Sequence, residues 1–213
     1  EDVWCDVDGE KTHGWWIPLE NARGTILFAH GSGRNISGYL EDVALYREAG
    51  FSVLLYDYGG YGASGGAASE ARCYADARAM WDYLVDVRKM SADRIVLAGS
   101  SMGGGVTLGL AVQVSPAALI LESTFTSVPD VLSEAYPFIP ARWICRIQFR
   151  NMTGSGSCVV RSWWCTAGRI GWFLLAMAEN CLRQLTCPRY SLKSVAPIMA
   201  GSSVHGISTC AIW

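Results

Sequence analysis

Carboxylates all but vanish from the last third of this chain. Of 19 Asp and Glu in 213 residues, only Glu179 lies beyond residue 150. A folded soluble chain normally spreads charge of both signs along its length, so the loss marks a compositional boundary near 150. Histidine is scarce as well. His13, His30 and His205 are the three present, which restricts neutral-pH proton transfer by imidazole to those side chains. No apolar run approaches the roughly 18–20 residues of a membrane-spanning helix. The longest, AALIL at 117–121 and GWFLLAMA at 171–178, have the length of core segments. A net charge of −2 offers no electrostatic footprint for nucleic acid or an anionic membrane. The eight cysteines form no C-x-x-C pair and no zinc-ligand spacing, and a disulfide framework belongs to chains much smaller than this. No leader-like segment is visible. The first residue is Glu1 rather than methionine, so an upstream anchor is left open, with a cytoplasmic location favoured.

What is present reads as a single domain in the first 150 residues. Residues 1–18 alternate apolar and polar side chains around Asp8-Gly9, a hairpin signal. GTILFAH (24–30), FSVLLYD (51–57), RIVLAG (94–99) and AALILE (117–122) are short, wholly apolar strands. Between them lie helical stretches ending at about Ala49, with Gly50 as cap, and at 70–88, where Ala75, Ala79, Trp81 and Leu84 recur at near-helical spacing. Strands apolar on both faces, alternating with helices, predict an α/β fold: a doubly wound, mostly parallel sheet. Right-handed crossovers then gather the loops 30–35, 57–69, 99–103 and 122–127 along the carboxyl edge of the sheet, where ligands bind.

One of those loops carries a chemical signature. Gly99-Ser100-Ser101-Met102-Gly103 fits G-x-S-x-G between a strand and a helix, the context of a nucleophile elbow. Ser101 is the predicted nucleophile. Gly99 and Gly103 supply the room that a side chain would take from the neighbouring helix and strand. The Met102 amide is placed to donate to an oxyanion, and His30-Gly31-Ser32-Gly33, ending an earlier strand, offers a second amide at Ser32. The bland alternative is a packing turn or a phosphate cradle. No lysine follows these glycines, which excludes a P-loop.

FAHGSGRNISGYL (28–40), DYGGYGASGG (57–66), DRIVLAGSSMGG (93–104) and LESTFTS (121–127) occur in the order found in the α/β-hydrolase superfamily. Residues 1–150 resemble its branch of small serine-aminopeptidase-like and depalmitoylase-like hydrolases. The resemblance implies Ser101 as nucleophile, the Ser32 and Met102 amides as oxyanion hole, and no metal or organic cofactor. It also implies structural roles for Asp57 and Asp76, as loop and helix anchors. That branch usually has arginine where Gly59 stands, a departure that puts a local salt bridge in question.

The remaining triad members are missing. A serine needs a histidine to take its proton and a carboxylate to orient that histidine, in the chain order Ser, acid, His. After Ser101 the candidates are Glu122, Asp130, Glu134, Glu179 and His205, and none has the expected surroundings. Glu122 ends a strand, and His205 sits in SSVHGIS. His13 and His30 are read as structural.

The segment SCVVRSWWCTAGRIGWFLL (157–175) suggests a reason. Tryptophan has the single codon TGG and cysteine only TGT or TGC. In the phase shifted by two bases, Trp163-Trp164-Cys165 is forced to encode Val-Val. The following codons permit His-Gly-x-x-Asp-x-x-Val-Pro, with Val forced across Trp172-Phe173; this is the acid loop the resemblance implies. Met199-Ala200 likewise forces Gly where the histidine loop belongs. A frameshift between about Arg150 and Ser157 is therefore expected, against the alternative of an authentic divergent tail. Residues 151–213 are expected to be an aberrant, poorly ordered tail. The C-terminal strands would then be missing or disrupted, the sheet ending at 117–122 with an uncovered apolar edge.

The expected parent function is hydrolysis of an ester, thioester or amide through an acyl-serine intermediate, on a small-molecule or acylated substrate, impaired in this chain. The alternatives are a non-catalytic α/β-hydrolase-like binding protein and a nonfunctional frameshifted product. Substrate and oligomeric state are not legible. A cap could come only from about 127–150, where Tyr136, Phe138, Trp143 and Phe149 offer either an apolar lining or core residues.

Overall fold

The computed structural model describes residues 1–122, 124, 127–135, 138, 149, 163–167 and 208–212. The chain opens with β1 (Asp2–Val7) and β2 (Glu10–Ile17), then alternates β3 (Thr25–Ala29), α1 (Leu40–Glu48), β4 (Ser52–Tyr56), α2 (Glu70–Asp82), β5 (Ile95–Ser100), α3 (Met102–Ala111), β6 (Ala118–Glu122) and α4 (Val128–Ala135). Two further strands are β7 (Trp163–Ala167) and β8 (Ser208–Ile212). Asp8 and Gly9 both take positive φ, 54° and 81°, the geometry a two-residue hairpin turn demands, and Val7 pairs with Glu10 across it.

The eight strands among the described residues form one sheet in the order β1-β2-β4-β3-β5-β6-β7-β8. From β4 through β7 every pairing is parallel, while β1, β2 and β8 join antiparallel. The order reverses around β3, the hallmark of a doubly wound sheet. Each central strand feeds two cores. Leu27, Leu54, Leu97 and Leu119 point to the face covered by α2 and α3, where Met80, Leu84, Val106 and Leu110 meet them. Ile26, Phe28, Val53, Leu55, Val96 and Ala98 point to the opposite face, against Ile36 and Val43. Burial on both faces explains why these strands read as unbroken apolar runs.

The expected uncovered edge is corrected. β7 pairs in parallel with β6, Leu119 opposite Trp163 through Glu122 opposite Thr166. β8 then pairs antiparallel with β7, from Trp163 opposite Ile212 to Ala167 opposite Ser208. The open N–H and C=O groups along β6 are a template for any segment of high β propensity, and Trp-Trp-Cys-Thr has it. Otherwise the ordering expected for 151–213 lies outside the described residues.

The aromatics left open between pocket lining and core are settled in part. Phe149 is core rather than lining: it is 1% exposed, stacks edge-on against Tyr74 of α2 at 5.8 Å, and its amide donates to Glu70. Phe138 is 99% exposed. Tyr136 and Trp143 lie outside the described residues.

Candidate active site

The bend between β5 and α3 is built as the sequence requires. Ser101 takes φ 51° and ψ −116°, a region that costs a residue with a side chain about 1–3 kcal/mol and persists only where surroundings enforce it. They do so from both sides. The Ser101 amide donates to the Glu122 carbonyl at 2.8 Å, and its carbonyl accepts from the Gly104 amide at 3.0 Å and the Thr124 hydroxyl at 3.1 Å. The glycines let α3 approach the strands. A Cβ at Gly99 would strike the Gly103 carbonyl and Thr107 hydroxyl; one at Gly103 would strike the Ala29 carbonyl and lie 2.7 Å from that of His30.

The glycine loop after β3 lies alongside. A Cβ on Gly31 would sit 3.3 Å from the Ser101 Cβ, 3.4 Å from the Ser100 carbonyl and 3.0 Å from the Tyr39 hydroxyl. A side chain there would force its neighbours to give by a few tenths of an ångström. The Gly31 amide is already committed, donating to Tyr39 Oη at 3.0 Å. For the amides of Ser32 and Met102 there is no backbone acceptor among the described residues. Met102 opens α3, so its N–H is one of those a helix start leaves unsatisfied.

The loop is anchored by Asp57 and Tyr58, just past the end of β4. Asp57 Oδ1 accepts from the Ile36 amide at 2.9 Å, and Tyr58 donates its hydroxyl proton to the His30 carbonyl at 2.7 Å. His30, fully buried, has Nδ1 2.7 Å from the Gly31 carbonyl; its Nε2 lies 3.3 Å from Asp57 Oδ1 without forming a hydrogen bond. Asp76 is equally enclosed. It accepts from Thr12 at 2.5 Å, from Arg72 Nε at 2.7 Å and from the Gly59 amide at 2.8 Å, tying β2, α2 and the loop after β4 together.

Neither described histidine serves Ser101. His13 bonds Asp2 at 2.7 Å on the outer hairpin, stacked 4.5 Å from Trp4, and that bond holds the Asp2 carboxyl below the usual carboxylate range. Glu122 is bonded by the Tyr46 hydroxyl at 3.0 Å, and burial raises its carboxyl above the ordinary range. The side chains of Asp130 and Glu134, and both Glu179 and His205, lie outside the described residues. No three His, Cys, Asp or Glu side chains among the described residues gather to hold a metal ion.

Two contributors fall inside the quoted motifs without being singled out by them. Thr124 reaches Ser101 from beyond β6, and Tyr39 reaches Gly31 across eight residues of chain. Both are contacts between loops, which no periodicity reports.

A serine bend and a glycine loop, side by side at the carboxyl edge of a doubly wound sheet, define an α/β-hydrolase. The profile of the family described as serine aminopeptidase, S33 matches residues 20–155, and the chain belongs to that family. An uncharacterized Mycobacterium tuberculosis protein is 39% identical over 137 residues, 63% of this chain and 49% of its own length. An α/β-hydrolase domain-containing protein of Arabidopsis thaliana is 36% identical over 177 residues, 80% of this chain and 56% of its own. The chain thus spans about half the length of these relatives. Among solved structures, an α/β-hydrolase from Vibrio vulnificus superposes with a TM-score of 0.63 at 24% identity, over 74% of this chain and 60% of its own. An esterase from Pyrococcus furiosus superposes with a TM-score of 0.53 at 25% identity, over 61% and 51%.

Proposed function

We propose that this hydrolase-family chain carries the nucleophile half of a serine hydrolase site. Ser101 Oγ would bond to the carbonyl carbon of an ester, thioester or amide. The bond to the leaving group then breaks, and water later releases the acyl group from the serine. The Ser32 and Met102 amides stabilise the negative oxygen of each tetrahedral intermediate. The observation that carries this reading is the strained bend at Ser101, held by three hydrogen bonds beside a loop whose Gly31 amide is taken and whose Ser32 amide has no acceptor among the described residues.

The step needs a base for the Ser101 proton, which would return to the leaving group. Without one, catalysis falls to what the oxyanion donors and substrate binding supply, on the order of 10³–10⁴ over water. The forced valines and glycine of the shifted phase support a frameshift between about 150 and 157, with impaired turnover. Two findings favour the other reading, an authentic tail: β7 continues the parallel sheet, and the Arabidopsis match, at 80% of this chain, extends past residue 150. Sequencing the transcript across residues 145–165 separates them.

A fluorophosphonate probe tests the nucleophile. Labelling of the folded chain, abolished in Ser101→Ala, is expected. Folded protein that takes up no probe would favour a binding protein that keeps the pocket without the chemistry.

A further inference from the structure

The Tyr39 hydroxyl ends on the amide of Gly31, the residue whose α-carbon lies against Ser101. It closes a short 3-10 turn, Ile36–Tyr39, that is fixed at its start: Asn35 caps it through the Ser37 amide at 3.2 Å, and the Ile36 amide is held by Asp57. The ring is fixed too, with centroids 5.5 Å from Phe28 and 5.7 Å from His30. Backbone and ring together aim the hydroxyl at Gly31, whose N–H it accepts at 3.0 Å. Burial pushes the Tyr39 phenol up from its ordinary pKa, so the hydroxyl stays neutral at working pH.

A peptide plane has one rotation that matters here. Two adjacent planes meet at the Gly31 α-carbon: Tyr39 and Tyr58 hold the N–H and C=O of the first, and His30 Nδ1 engages the carbonyl of the second, which also carries the next N–H. With both planes held, that N–H has its direction set. That next N–H is Ser32's, which has no acceptor among the described residues. An oxyanion donor displaced by an ångström loses most of its value, because stabilisation depends on where the charge develops.

We propose that Tyr39 is a positioning residue of the oxyanion loop: its hydroxyl, by taking the Gly31 amide, aims the Ser32 amide at the oxygen that becomes negative when Ser101 is acylated. This rests on the serine hydrolase reading above. The hydroxyl acts through the loop and not on the substrate.

Tyr39→Phe keeps the ring against Phe28 and His30 and removes only the acceptor. The full chain and this variant are treated with a fluorophosphonate, and the saturating labelling rate is separated from the half-saturating probe concentration. The rate is expected to fall about tenfold, with half-saturation within about twofold, because the donor matters at the transition state and little to ground-state binding. Amide exchange supplies a second reading independent of labelling: Gly31 is expected to be protected in the parent and released in the variant. Equal saturating rates in a folded variant, or an unprotected Gly31 amide in the parent, overturn the assignment while leaving Ser101 as nucleophile. A parent chain that takes no label removes the serine reading, and the assignment with it.

Discussion

Arg72 lies across the space that a side chain at Gly59 would fill. A Cβ on Gly59 would meet Arg72 Cγ at 2.7 Å and Nε at 3.0 Å, and that same Nε bonds Asp76 at 2.7 Å. Arg72, from α2, therefore fills the space beside position 59 and pairs with Asp76 one turn further on. Removing one member of a buried pair leaves the other charge uncompensated. Arg72→Ala is expected to cost about 3 kcal/mol, read as a fall in Tm. Gly59→Arg alone should also destabilise, through collision, while Gly59→Arg with Arg72→Ala should recover part of the loss. Additive losses in the double variant would contradict that shared space.

The bend at Ser101 stores strain that a residue without a Cβ does not feel. Ser101→Gly is expected to be more stable than Ser101→Ala by about 1 kcal/mol, reversing the usual order of the two residues. Chemical denaturation of both variants checks it; an alanine variant of equal or greater stability would mean the backbone there is not strained.

Gly103 is where α3 touches the backbone at the end of β3. The obstacle is a carbonyl rather than a flexible side chain, so it has no easy way to yield. Gly103→Ala is expected to cost about 3 kcal/mol or more, or to prevent folding. A folded variant within about 1 kcal/mol of the parent would place the helix farther from the strand.

Glu122 couples stability to pH. Burial raises its native carboxyl above the unfolded value, so between those two values the folded state holds more proton than the unfolded one. Stability then falls as pH rises, from the ordinary glutamate value of 4.5 through the raised native value. Glu122→Gln keeps an oxygen for the Tyr46 hydroxyl and carries no charge. It is expected to raise Tm at neutral pH and to flatten that slope; an unchanged slope would assign the pH dependence elsewhere.

The parallel sheet, its helices and the elbow were legible because each has a local signature: apolar runs of strand length, a helical period at 70–88, glycines at fixed offsets around Ser101. The pairing of β7 with β6 was not. Trp-Trp-Cys-Thr-Ala has β propensity, but it stands in a stretch with no strand-helix alternation and almost no carboxylates, so nothing local tells which strand it would join. What decided it is the unpaired edge of β6, a property of the folded sheet. The roles of Tyr39 and Thr124 and the packing of Arg72 over Gly59 were hidden for the same reason, since each is a contact between different loops and elements.

The central claim is that Ser101 is the residue that accepts the acyl group. Fluorophosphonate-treated protein digested with trypsin yields the peptide 95–142, which contains Ser101 and ends at Arg142. One phosphonyl mass shift is expected in that peptide, assigned to Ser101 by fragmentation. A shift on any other serine, or an unmodified peptide from fully folded protein, would contradict it.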